Sequence, residues 1–131
     1  MANASIRNPE AWLKKAEGDI KIIKKCLRDD DETLDGAVYH AQQAAEKALK
    51  AFLIFQQQEI PKIHDLLRLL KLCAKIDFSF IQLEDYAADL TMYVTYARYP
   101  DDWFVVDRPE AESALKKAIF IVQFCKQRIN P

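Results

Sequence analysis

The sequence predicts an all-α fold: an up-and-down helical bundle of four long helices and one short one. Three observations carry that expectation. Only two of the 131 residues are glycine, while 50% are hydrophobic and 30% charged, a balance that favours packed helices over loop-rich or disordered structure. Apolar residues recur at steps of three and four through most of the chain, the period of a helix with one buried face. Proline and short polar side chains stand where those patterns start and stop, as helix-terminus chemistry requires. The chain is long enough to bury a core without disulfide or metal staples, and residues 1–131 read as a single domain.

Asn8-Pro9-Glu10 opens the first helix, since Asn caps, Pro suits the first helical position and an acid there complements the dipole. Leu13, Ala16, Ile20, Ile23 and Leu27 form its buried stripe, and Lys14, Lys21, Lys24, Lys25 and Arg28 lie off it. The acidic run Asp29-Asp30-Asp31-Glu32 suits the approach to a helix better than the end of one, so it reads as a linker. Without turn glycines it does not reproduce a calcium-loop spacing. A central helix then spans Leu34 to Phe55, with Leu34, Ala37, Val38, Ala41, Ala45, Ala48, Phe52 and Phe55 on one arc. Its alanines permit close approach of a neighbouring helix.

Gln56 to Glu59 and the following Ile60-Pro61 end that helix, because Pro61 disfavours helical geometry before it. A short third helix starts near Ile63 to Asp65 and buries Leu66, Leu67, Leu70, Cys73 and Ala74. Asp77 and Ser79 bring turn chemistry to Ile76–Phe80. The fourth helix is expected from about Gln82 to Ala97 on the stripe Leu83, Ala87, Leu90, Val94 and Ala97, flanked by Tyr86 and Tyr93. Pro100 stops it. Asp107-Arg108-Pro109-Glu110 opens the last helix with an acid pair three apart. Its core stripe is Ala111, Ala114, Leu115, Ala118, Val122, Cys125 and Ile129, and Ile119, Phe120 and Ile121 widen the apolar arc into a second packing surface.

The net charge of −1 does not advertise nucleic acid, so any basic surface must be local. Cys26, Cys73 and Cys125 are widely spaced without a zinc pattern and read as reduced core thiols. No metal or cofactor is expected. No secretory leader opens the sequence and no apolar run approaches membrane length, so a cytoplasmic protein is expected.

On the outward arc of the central helix, His40, Gln43, Lys47 and Lys50 form one row at i, i+3, i+7 and i+10. In a functional reading His40 and Gln43 contact a base or ribose while Lys47 and Lys50 receive phosphate. In the plainer reading the lysines are solvated and the other two bond a neighbouring helix. His64-Asp65 invites a catalytic-dyad reading, but adjacent helical residues do not face each other. A structural role is preferred, with Asp65 serving the first-turn amides of the third helix and His64 bonding across the preceding turn. Arg98 either holds an anion with its guanidinium fork or locks its loop to Asp101, Asp102 or Asp107.

The run AVYHAQQAAEKALKAFL, with Pro61, His64-Asp65-Leu66 and Arg98-Tyr99-Pro100-Asp101, resembles the HEPN domain family (higher eukaryotes and prokaryotes nucleotide-binding). The resemblance covers about residues 9 to 128. Ribonuclease members of that family carry an Arg, four to six residues, then a His. This sequence has no such pair: His40 and His64 lack an Arg at that distance upstream, and no His follows Arg98, Arg108 or Arg128. The resemblance therefore implies a non-catalytic HEPN protein, with no catalytic residue assigned. The implied role is binding of a nucleotide and/or a minimal nucleotidyltransferase partner, in a toxin–antitoxin type module, through His40, Gln43, Lys47, Lys50 and Arg98. It also implies a homodimer, for which the surplus apolar arc of the last helix gives a surface. The alternatives are a ribonuclease toxin with a divergent site, using His40 or His64 as general base and Arg98 for the developing charge, and a purely structural dimerisation module.

Overall fold

The computed structural model describes residues 7–28, 34–96 and 105–131. Among these it contains α1 (Pro9–Arg28), α2 (Leu34–Phe55), α3 (Leu66–Ile76), a 3₁₀ turn (Phe78–Leu83), α4 (Glu84–Thr91), α5 (Tyr93–Tyr96) and α6 (Arg108–Ile129), and no strand. α2 is the hub of the expected bundle, touching α1, α3, α4, α5 and α6.

The helix ends follow the predicted chemistry. Asn8 Oδ1 accepts from the Glu10 N–H at 2.9 Å, and Asp65 caps α3 by accepting from the Leu67 N–H at 2.9 Å. Asp107 caps α6 by accepting from the Glu110 N–H at 2.9 Å. Each satisfies amides that a helix start otherwise leaves unpaired. Asp77 Oδ1 accepts from the Ser79 N–H at 3.0 Å and its hydroxyl at 2.6 Å, converting the expected turn into a 3₁₀ entry.

The fourth helix differs from expectation. It is reached through the 3₁₀ turn and divided at Met92 into α4 and α5. Thr91 turns its hydroxyl to α3, where it accepts from the Leu66 N–H at 2.9 Å. Tyr93 is buried and donates to Glu110 Oε2 at 2.8 Å. These tertiary bonds override continuity in a segment whose β-branched Thr91, Val94 and Thr95 favour a helix only weakly. The acidic linker 29–33, Ala97 and the Arg98-Tyr99-Pro100-Asp101 loop lie outside the described residues.

α2 is buried more completely than one stripe requires. Ala37, Ala41, Ala44, Ala45, Ala48 and Ala51 are all fully inaccessible, and every residue from Ala48 to Ile54 is buried. Small side chains on several arcs let neighbours approach from more than one direction. The expected stripes of α1 and α6 also pack inward, with Leu27 and Leu115 half-buried. Of the arc that widened α6, Ile121 joins the core, Ile119 is half-buried and Phe120 remains exposed.

Phe80 stacks between Phe52 at 4.4 Å and Phe124 at 5.0 Å, joining the 3₁₀ turn to α2 and α6. Arg128 closes this end: its guanidinium carbon lies 3.4 Å from the Phe124 ring centre, and Nη2 donates to Ser79 Oγ at 3.0 Å. Cys26, Cys73 and Cys125 form no disulfide. Burial pushes the Cys73 thiol up to about 12 and raises that of Cys125 as well, so both remain protonated core groups. No described helix is long and apolar enough to cross a membrane.

α2 ends with Gln57 in the left-handed region at φ 62°. The Gln58 N–H bonds Leu53 O at 2.9 Å and the Gln57 N–H bonds Ile54 O at 2.8 Å, the Schellman arrangement in which glycine normally avoids a Cβ penalty. Gln57→Gly should therefore raise stability by about 0.5–1 kcal/mol, read as a higher urea midpoint at unchanged slope; an equal or lower midpoint contradicts the strain.

Candidate functional site

The buried polar and charged side chains among the described residues are Asp19, Gln42, Glu46 and Lys50. All belong to two hydrogen-bonded clusters along α2, one on Asp19 and one on Glu46. Isolated buried charge is expensive, so this concentration marks the part of the molecule where apolar packing was given up.

The first cluster joins α1 to α2. Asp19 lies on the inward side of α1, between Ala16 and Ile23, and its carboxylate takes two partners. His40 Nδ1 is 2.9 Å from Oδ1, and Lys47 Nζ donates to Oδ2 at 2.7 Å. A carboxylate only accepts, so His40 Nδ1 donates to Asp19 and Nε2 is left for another partner. The His40 side chain is 29% exposed and that of Lys47 26%, against 6% for Asp19. Two half-exposed groups thus stand on one hidden acid.

The second cluster is centred on Glu46. Lys50 Nζ donates to its Oε2 at 2.9 Å and Gln42 Nε2 to its Oε1 at 3.1 Å. His64 Nδ1 lies 3.1 Å from Oε2 and donates to it, leaving Nε2 for another partner. Gln42 also donates to the His64 carbonyl at 3.1 Å and accepts from Gln43 Nε2 at 2.7 Å. Gln42, Glu46 and Lys50 are one helical column at i, i+4 and i+8, and no buried side-chain atom among the described residues lacks a partner. Burial pushes the Glu46 pKa up, but hydrogen bonds from Lys50 and Gln42, the Lys50 charge and the His64 bond outweigh it and hold the carboxyl below its ordinary value.

Placement of the sequence-derived residues is therefore uneven. His40, Gln43 and Lys47 share the half-exposed edge expected of them. Lys50 does not: it is buried against Glu46, with a side chain only 7% exposed. Arg98 lies outside the described residues. His64 bonds Glu46 instead of its own turn, and its ring is 60% exposed. Asp19, Gln42 and Glu46 went unread as site residues. The available signal was a charge or amide on an otherwise apolar arc: Asp19 beside Ile20, and Gln42 and Glu46 flanked by Ala41, Ala44 and Ala45. No group of three or more His, Cys, Asp or Glu among the described residues is arranged to hold a metal ion.

Chemically, the site offers two imidazoles backed by carboxylates, one amide and one half-exposed ammonium. Its acceptors suit the amino and hydroxyl groups of a base or ribose. Asp19 and Glu46 already balance Lys47 and Lys50, so the lysines bring less net positive charge to a phosphate than their number implies.

The HEPN domain model matches residues 9–128. A crystal structure of an archaeal HEPN homologue superposes with a TM-score of 0.72 at 27% identity, covering 94% of this chain and 98% of that one. No curated protein matches.

Two outcomes test the electrostatics. Glu46→Gln leaves Lys50 buried without its counter-charge and should cost about 3–5 kcal/mol, whereas Glu46→Leu with Lys50→Met should recover most of that loss; equal losses in both variants contradict the pairing. Because the folded-state pKa of Glu46 is depressed, its stabilisation is complete above the ordinary value of 4.5 and disappears as pH falls through the lower folded value. Urea midpoints measured from pH 7 to pH 2 should fall below pH 4.5 less steeply in Glu46→Gln than in the parent.

Proposed function

The chain belongs to the HEPN domain family, matched over residues 9–128, and from this we propose that it is a non-catalytic member that binds a nucleotide or a minimal nucleotidyltransferase partner. It acts as a homodimer in a toxin–antitoxin type module. The observation that carries the reading is the confinement of the buried charged and amide side chains to two hydrogen-bonded clusters on α2, which hold His40, Gln43 and Lys47 at a half-exposed edge. Pre-set donors and acceptors lose little entropy on binding. In this reading His40 Nε2 and the Gln43 carbonyl recognise base or ribose, Lys47 and Arg98 meet phosphate, and Lys50 acts indirectly by fixing Glu46.

The absence of an Arg, four to six residues, then a His supports binding over cleavage. One observation favours the enzymatic alternative: His64 is exposed and its Nδ1 is held by a buried carboxylate, the arrangement of a supported general base. RNA cleavage with His40 or His64 as base is the second reading.

Calorimetric titration with nucleoside triphosphates should give a saturable heat that falls at least about tenfold in affinity on replacing Lys47 and Arg98 by Ala, with circular dichroism confirming the fold. No heat, or an unchanged heat, removes nucleotide binding. Overexpression should be harmless; toxicity abolished by His40→Ala or His64→Ala would instead establish the second reading.

A further inference from the structure

α1 and α6 lie side by side and antiparallel, as the pairs Glu10–Asn130 at 2.6 Å and Glu17–Lys126 at 3.2 Å fix. Between them runs a groove of about 340 Å³ whose floor is made by the aliphatic side chains of Ile20, Ile119 and Val122. The rim is polar, with Lys21, Lys24 and Lys126 beside the amides of Gln123 and Gln127. Along α6 the lining extends from Ile119 to Gln127, about 12 Å at the helical rise. The Glu17–Lys126 pair crosses from one helix to the other and bars one end. Charge around the groove is one-sided, because the acids of both helices are already engaged. Glu10 is on Asn130, Glu17 on Lys126, Asp19 on His40 and Lys47, Glu110 on Tyr93 and Glu112 on Arg108. Lys21 and Lys24 are exposed and make no hydrogen bond or ion pair among the described residues. Lys14, Lys25 and Lys116, exposed on the same two helices, carry the same sign.

We propose that this groove binds a soluble aliphatic carboxylate, its hydrocarbon chain laid on the floor and its head met by Lys21 and Lys24. Neither half of such a ligand is held well alone. Exposed ammonium groups retain a bare anion weakly, and an aliphatic floor attracts any apolar chain without regard to its head. A molecule carrying both halves gains from both, and the groove's volume falls within the range of small-ligand sites. About two turns of two helices offer less surface than a stable protein partner buries. Their length suits a chain of medium size, with the head left among the lysines at the rim. Asp19 lies on the opposite side of α1 from Lys21, so this site is separate from the edge carrying His40 and Lys47 and does not rest on the nucleotide reading.

Calorimetric titration of the full chain with octanoate, below its micelle-forming concentration, tests the groove. One saturable site is expected, unaffected by an excess of nucleoside triphosphate. Butanoate should bind more weakly, by about two- to fourfold for each methylene removed. Octylammonium, with the same chain and the opposite head, should not bind. Lys21→Glu/Lys24→Glu, at exposed positions that folding does not depend on, should reverse the preference between the two heads while the circular dichroism stays unchanged. Absence of a saturable heat, equal binding of octanoate and octylammonium, or a folded variant that keeps the parent's preference overturns the proposal. An octanoate affinity that falls as protein concentration rises shows the groove covered by another copy of the chain and overturns it as well.

Discussion

The bond between Glu46 and Lys50 is the constraint to which the rest of the structure is fitted. Both side chains are buried on the helix that every other helix touches. Neither tolerates burial alone. Glu46 accordingly collects Gln42 and His64 as further donors, Gln42 in turn positions Gln43, and α3 is tied to α2 through the His64 ring and carbonyl. One buried acid therefore organises the approach to the third helix as well as the edge of the candidate site. Asp19 does the same for the contact between α1 and α2.

The fold was legible because its signals are local. Helix caps are decided within four residues, and Asn8, Asp65 and Asp107 act where short-range chemistry places them. Stripes stepping by three and four located α1, α2 and α6 almost to the residue. The break at Met92 was not legible, because it depends on Thr91 and Tyr93 reaching partners far away in sequence. The 3₁₀ entry to α4 was half legible, since Asp77 and Ser79 announced a turn but not its geometry.

The site was less readable, for a physical reason. Helical periodicity tells which residues share an arc but not how many neighbours cover that arc. α2 is covered on most sides, so Lys50, placed on an outward row by spacing, is enclosed. The row His40, Gln43 and Lys47 was visible in the sequence. The acids that fix it were not, because a carboxylate among alanines looks like surface until a partner from another helix is known.

The contact of Glu10 with Asn130 joins positions 120 apart in sequence, and it has a consequence for assembly. α1 and α2 are adjacent hairpin partners, able to meet early and quickly. The alanine-lined side of α2 that receives α6 stays bare until the final helix has left the ribosome. During that interval a nascent chain presents an apolar trough, and closure by the 22-residue α6 is the step that commits the molecule.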